Sequence, residues 1–153
     1  MDERDRLDKA TKCWTWSWIA LALALGLHVA DEAAHDFLSL WNPLVRSLRQ
    51  KLPALPLPTF DFALWLGGLG TAVLLLLSLT WFVRRGAVWM RPVSYVLAVL
   101  MLGNGMLHIA GTVYQGRAVP GVYSSPILLI AAGLLFAGAW GHRSAGRPEP
   151  GAA

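Results

Sequence analysis

The chain has 153 residues, of which 56% are hydrophobic and only 14% charged, whereas an ordinary soluble domain is about a quarter charged. Its net charge of +4 lies at the ends and in short gaps, with no aromatic-interleaved basic stripe, so nucleic acid is not an expected partner. Cys13 is the only cysteine, which excludes an intrachain disulfide and a cysteine-based zinc site.

Residues 1–13 carry four acids and four bases without an apolar stripe, and read as a solvated leader. An apolar run, Trp14–Ala30, follows. It opens on Trp14, Trp16 and Trp18, the pattern of an aromatic belt at a headgroup boundary. A cleaved signal peptide is the competing reading, since His28-Val29-Ala30 ends in small residues. Its leading segment would be uncharged overall rather than basic, which argues against it.

The end of that run, LHVADEAAHDF (27–37), is anomalous. On a helix, His28, Asp31, Glu32 and His35 fall within an arc of about 100°. A polar stripe of this kind is costly against lipid and is expected to face other helices. Beyond it, Asn42-Pro43 has the form of a helix start, a capping side chain followed by proline. Leu44, Val45, Leu48 and Leu52 then recur on one side, with Arg46 and Arg49 off it, predicting a short helix in the membrane interface. PALPLPTF should return extended to the next span.

Three further spans are predicted at Phe62–Val83, Val93–Tyr114 and Tyr123–Trp140, each near the twenty or so residues needed to cross the hydrocarbon. Lipid offers the backbone no partner, so the spans must be helical. The expected architecture is all-α: a four-transmembrane-helix bundle over residues 14–141 with one interfacial helix, and a disordered tail over 142–153. Nine Lys and Arg lie in the leader, the RRGAVWMR gap and the tail, against Arg46, Arg49, Lys51 and Arg117 on the other side. The positive-inside rule then puts both termini in the cytoplasm, with the chain integral to the cytoplasmic membrane.

The third span has its own polar stripe of Asn104, His108, and Thr112 or Gln115. Counted from Trp14, His28 lies ~21 Å along its helix, and counted from Pro92, His108 lies ~24 Å along. Two histidines from two parallel helices should therefore meet in the outer half of the bilayer, with Asp61 near the same level. Gly67, Gly68, Gly70 and Thr71 in the second span, and Gly103, Gly105 and Gly111 in the third, are expected to allow close helix approach.

HVADE, a later lone histidine and VPG within GRAVPGVYSS resemble the HXXEE domain, a group of small bacterial integral membrane proteins with an HxxEE motif, a second histidine and a YxPG motif. The resemblance covers roughly residues 20–130 and is carried by three short patches. It implies a site in which His28 and Glu32 match the first motif, His108 the lone histidine, and Pro120 and Gly121 the last. Asp31 stands where the family has its first glutamate, and Ala118 where it has tyrosine, so any role of that phenol is either absent or supplied elsewhere, by Tyr114 or Tyr123. The resemblance carries no settled activity. A weaker similarity, to the emopamil-binding, sterol-isomerase-like superfamily, implies a cavity lined by histidine, acids and asparagine within a small helical bundle.

Two chemistries suit these residue types. His28, Glu32, His108 and His35 can ligate a metal, with nitrogen and carboxylate donors fitting zinc or non-haem iron, and with Asp31 or Asn104 orienting a ligand. Only one Glu-x-x-His pair is present, Glu32 and His35, so a di-iron set is not expected. Without a metal, Glu32 held in a low-dielectric cavity can donate a proton while His28 or His108 accepts one, which is isomerase or cyclase chemistry. Trp65 is a candidate for cation–π stabilisation, and Arg117 for an anionic headgroup or diphosphate. The substrate would be a lipid or isoprenoid-like molecule arriving from the outer leaflet. Against both stands a purely structural role in which these groups pair and lock the bundle. Without inverted repeats or broken helices, transport by alternating access has little support; a dimeric channel, another homo-oligomer or a non-catalytic binding subunit remains compatible with the pattern.

Overall fold

Apolar segments of this length satisfy their backbones by coiling, and the computed structural model, which describes residues 2–54 and 56–146, contains five helices and no strand among those residues. They are α1 (Glu3–Ala34), α2 (Phe37–Lys51), α3 (Phe62–Arg84), α4 (Met90–Gln115) and α5 (Ser125–Ala145). All but α2 are long and apolar enough to cross a membrane. The chain is therefore a multi-pass helical membrane protein.

α1 is the hub. It packs along α5 and along α3, and α4 packs along α5 while reaching α1 through side chains. The α1–α5 seam is close because Gly138 has no side chain: a Cβ there would sit 2.6 Å from Ser17 Oγ and 3.1 Å from Trp14 Cα. Gly105 does the same for α4 and α5, with Leu129 2.9 Å from its notional Cβ. The expectation of close approach fails at Gly67, Gly68, Gly70 and Gly103, which face open space. Thr71 turns its hydroxyl back onto Gly67 O of its own helix (2.7 Å). Most of α3 is left to the surroundings, as an apolar helix in lipid tolerates.

The tryptophan belt also needs correction. Only Trp16 is exposed; Trp14 and Trp18 are fully buried. One helical turn apart, they share α1's inner face, where Trp14 Nε1 donates to Ser94 Oγ (3.0 Å) and Trp18 Nε1 to Leu76 O (2.8 Å). Indole is used here because its N–H finds an acceptor on a neighbouring helix.

Both ends are more regular than expected. The charged leader is helical and continuous with the first span, giving α1 a length of about 48 Å against a hydrocarbon core of about 30 Å. At the other terminus α5 continues through residues assigned to the tail. His142 is buried there beneath the Trp14 ring (4.7 Å) and accepts from Arg91 Nε (3.1 Å). The expected disorder over residues 147–153 lies outside the described residues.

The interfacial helix exists but begins at Phe37, leaving Pro43 inside it. Asp36 makes the corner between α1 and α2 at φ +54°, a left-handed conformation that Asp tolerates better than most residues. Asn42 is therefore no cap. It clamps the returning strand of chain instead, donating to Phe60 O (2.9 Å) and accepting from Phe60 N (3.1 Å). Trp41 Nε1 bonds Pro58 O (3.1 Å) and Arg49 bonds Leu57 O. Proline-rich backbone, unable to pair with itself, is thus carried across the end of the bundle by α2.

Gly138→Ala should loosen the α1–α5 seam and destabilise the fold by ~1–3 kcal/mol, the usual range for overpacking. Gly133→Ala, on an open face of the same helix, should change stability by less than ~0.5 kcal/mol. Thermal unfolding of the two variants in detergent measures the difference.

Candidate functional site: a buried His–Glu–His cluster

The end of the bundle opposite the termini holds the polar stripe of α1. His28 and Glu32 sit one helical turn apart and face inward, with side chains 1% and 7% exposed. His108 reaches them from α4 with its side chain 8% exposed. Its Nε2 is 3.2 Å from Glu32 Oε1, His28 Nε2 is 3.8 Å from the same oxygen, and the two imidazoles meet edge to face at 4.8 Å. Asn104, one turn before His108, places Nδ2 3.1 Å from His28 Nε2. The convergence expected from counting depth along two parallel helices is what the fold contains.

A second layer connects this cluster to α5. His28 Nδ1 lies 2.8 Å from Ser124 Oγ. Ser124 occupies the N-cap of α5, yet its hydroxyl makes no capping bond. It lies 2.7 Å from Asp31 Oδ2, which also accepts from Ser124 N (2.9 Å). The carboxylate of one helix thus caps the next, where the helix dipole favours negative charge.

Gly121 closes the site from the α4–α5 connection. It sits at φ +87°, and a Cβ there would lie 2.8 Å from His108 Cε1 and 3.0 Å from His28 Cε1. Both facts call for glycine: the backbone conformation, and the lack of room above two rings. Its carbonyl accepts from Ser125 N (3.1 Å) and Ser125 Oγ (2.8 Å), tying the loop to the start of α5. On the other flank Phe37 stands 6.0 Å from His108 and 5.8 Å from Trp65, ring to ring.

Several candidates lie elsewhere. α1 ends at Ala34, so His35 leaves the stripe; its Nδ1 pairs with Asp31 Oδ1 (2.8 Å) and its ring packs on Tyr123 (5.2 Å). The group that could hold a metal ion among the described residues is His28, Glu32 and His108, without His35. Tyr114 is 92% exposed, outside the buried cluster. Asp61 caps α3 through Leu64 N (2.9 Å) instead of joining the site. Trp65 is buried, and Phe37 stands between it and His108, in ring contact with both. Arg117 lines an adjoining pocket of about 260 Å³ with His35, Ser39, Ala118, Pro120 and Tyr123.

Ser124 and Phe37 were not singled out by sequence. Ser124-Ser125-Pro126 reads as an ordinary helix start, and nothing local shows that the first hydroxyl is turned toward another helix. Phe37 closes the polar motif in the sequence, but its ring reaches His108 only because Asp36 bends the chain.

Chemically, the cluster offers two imidazole nitrogens and a carboxylate oxygen, all within 4.8 Å of one another. Ligands about 2.0–2.1 Å from a tetrahedral ion stand roughly 3.3 Å apart. The two separations from Glu32, 3.2 and 3.8 Å, are near that, while the three donor atoms together spread to 4.8 Å. The same atoms also suit proton transfer between Glu32 and either ring.

Residues 18–136 match the family described as proteins of unknown function with an HXXEE motif, and the chain belongs to that family. No curated protein matches the chain. No solved structure matches it either.

Gly121→Ala should lower stability by ~1–3 kcal/mol through backbone strain alone and displace both imidazoles. Pro120→Ala should be milder. Thermal unfolding together with histidine ring NMR signals in detergent distinguishes a local strain from a rearranged site.

Proposed function

We propose that the chain is a small membrane enzyme whose His28, Glu32 and His108 bind one divalent metal ion, zinc or ferrous iron, and act on a lipid-soluble substrate of the isoprenoid class. The observation that carries this reading is the convergence of three buried donor atoms from two helices, one of whose imidazoles is held at its far nitrogen by Ser124 and Asp31. Ligating histidines are commonly oriented in that way. Two histidines and one carboxylate leave positions open on the ion, as catalytic sites require. The ion would act as a Lewis acid or activate a bound water.

In this reading the positive-inside rule places both termini in the cytoplasm, and the cluster then lies beneath the outer leaflet. Phe37 and Trp65 form the apolar wall against His108, and Arg117 in the adjoining pocket takes an anionic headgroup. Asp31, Ser124 and Asn104 orient His28.

Metal-free acid–base catalysis, as in an isomerase or cyclase, is favoured by one specific contact, the 3.2 Å approach of Glu32 Oε1 to His108 Nε2. That pair can pass a proton directly, and the Phe37–Trp65 stack offers a face to a carbocation.

Metal analysis of the detergent-purified protein separates the two. The metal reading expects about one zinc or iron per chain, lost in His108→Ala and in Glu32→Gln. It also expects a rise in unfolding temperature on adding metal, worth about 2.7 kcal/mol at a hundredfold excess over Kd. Protein that stays metal-free and unshifted in the presence of both ions defeats it in favour of the acid–base reading.

A further inference from the structure

Ser124 stands outside both motifs, yet it is the link between the buried cluster and Asp31. Its hydroxyl has a single proton and three neighbours: Asp31 Oδ2 at 2.7 Å, Gly121 O at 3.1 Å and His28 Nδ1 at 2.8 Å. The first two are oxygens of a carboxylate and a backbone carbonyl, which accept and do not donate. Either takes the serine proton. The remaining contact then has only one arrangement, in which His28 Nδ1 carries a hydrogen and donates it to Ser124 Oγ.

We infer that Ser124, fixed by Asp31, is a positioning residue that locks His28 as the Nδ1–H tautomer and so aims the lone pair of Nε2 into the cluster. The opposite side of the ring agrees. A bare Nε2 needs a donor, and Asn104 Nδ2 stands 3.1 Å from it. Ser124 is itself held independently of its hydroxyl, since its backbone N–H donates to Asp31 Oδ2 (2.9 Å). Neutral histidine in water favours the other tautomer, with hydrogen on Nε2. The site therefore imposes a state that the free side chain does not prefer.

The consequence is directional. With hydrogen on Nε2, His28 would present a donor to Glu32 and could neither ligate a metal nor accept a proton at that atom. With hydrogen on Nδ1, it can do either. The inference concerns the same site as the metal reading but does not depend on an ion being bound.

The experiment uses the full chain with ¹⁵N-labelled histidine in detergent micelles, stripped of metal by chelation. The His28 ring, assigned with His28→Gln, should show a protonated Nδ1 and an unprotonated Nε2. Ser124→Ala should move that pair of signals toward the Nε2–H form, and Ser124→Thr, which restores a hydroxyl, should return them. Cobalt or zinc titration of the same samples should show a roughly 10–100-fold weaker affinity for Ser124→Ala, recovered by the threonine. A wild-type His28 with hydrogen on Nε2 overturns the inference without any variant, which covers the case of a serine variant that fails to fold. If the tautomer is as expected and no metal binds, the metal reading falls and this inference stands.

Discussion

A polar stripe on a membrane helix must be answered by other helices, and the last two turns of α1 impose that demand on everything around them. His28, Asp31 and Glu32 cannot face lipid without loss of hydrogen bonding. Each is met from a different direction: Glu32 by His108 of α4, Asp31 by the N-terminus of α5, and His28 by Ser124 on one nitrogen and Asn104 on the other. Leaving a buried polar group without its partner typically costs about 1–3 kcal/mol, so the same contacts that define the site also set the register of α4 and α5 against α1.

The far end of the bundle obeys the same rule with different residues. Trp14 and Trp18 are almost wholly apolar, but each indole N–H would be orphaned in hydrocarbon. Ser94 on α4 and a carbonyl of α3 accept them. Beside them Gly138 brings the α5 backbone against α1. α1 is therefore fixed at both ends by hydrogen bonds to its neighbours and between them by apolar packing. α3 and most of α4 contribute fewer buried side chains, and their exposed leucines and valines are suited to acyl chains.

The fold was legible because its signals are long: twenty-residue apolar runs admit one solution, and the depth argument for His28 and His108 needs only a constant rise per residue. The errors lie where one residue decides the path. Asp36 in a left-handed conformation ended α1 one residue before His35 and started α2 six residues before Pro43. No periodicity announces such a corner. Nor does it distinguish Trp14 and Trp18 from Trp16, since an interfacial belt and a buried seam read alike until the neighbouring helix is in place. The glycines of α3 were misread for a related reason: small residues permit close packing but do not cause it.

The two departures from the family motif make physical sense in this geometry. Asp31 has one methylene fewer than the glutamate it replaces, and the shorter arm ends on Ser124 and the first turn of α5, clear of the cluster. A carboxylate there meets the N-terminus of α5, where the helix dipole favours negative charge, and holds Ser124, which in turn contacts His28. Ala118, where the resemblance implies a tyrosine, lines the pocket that Arg117, His35 and Tyr123 also border. A tyrosine at that position would fill part of this space with a phenol. With alanine there, the pocket is wider, and Tyr123, tilted against the His35 ring, is the phenol on its wall. Asp31 thus departs from the motif inside the buried network, where its shorter arm still reaches Ser124, while Ala118 lies at the pocket that opens to the surroundings.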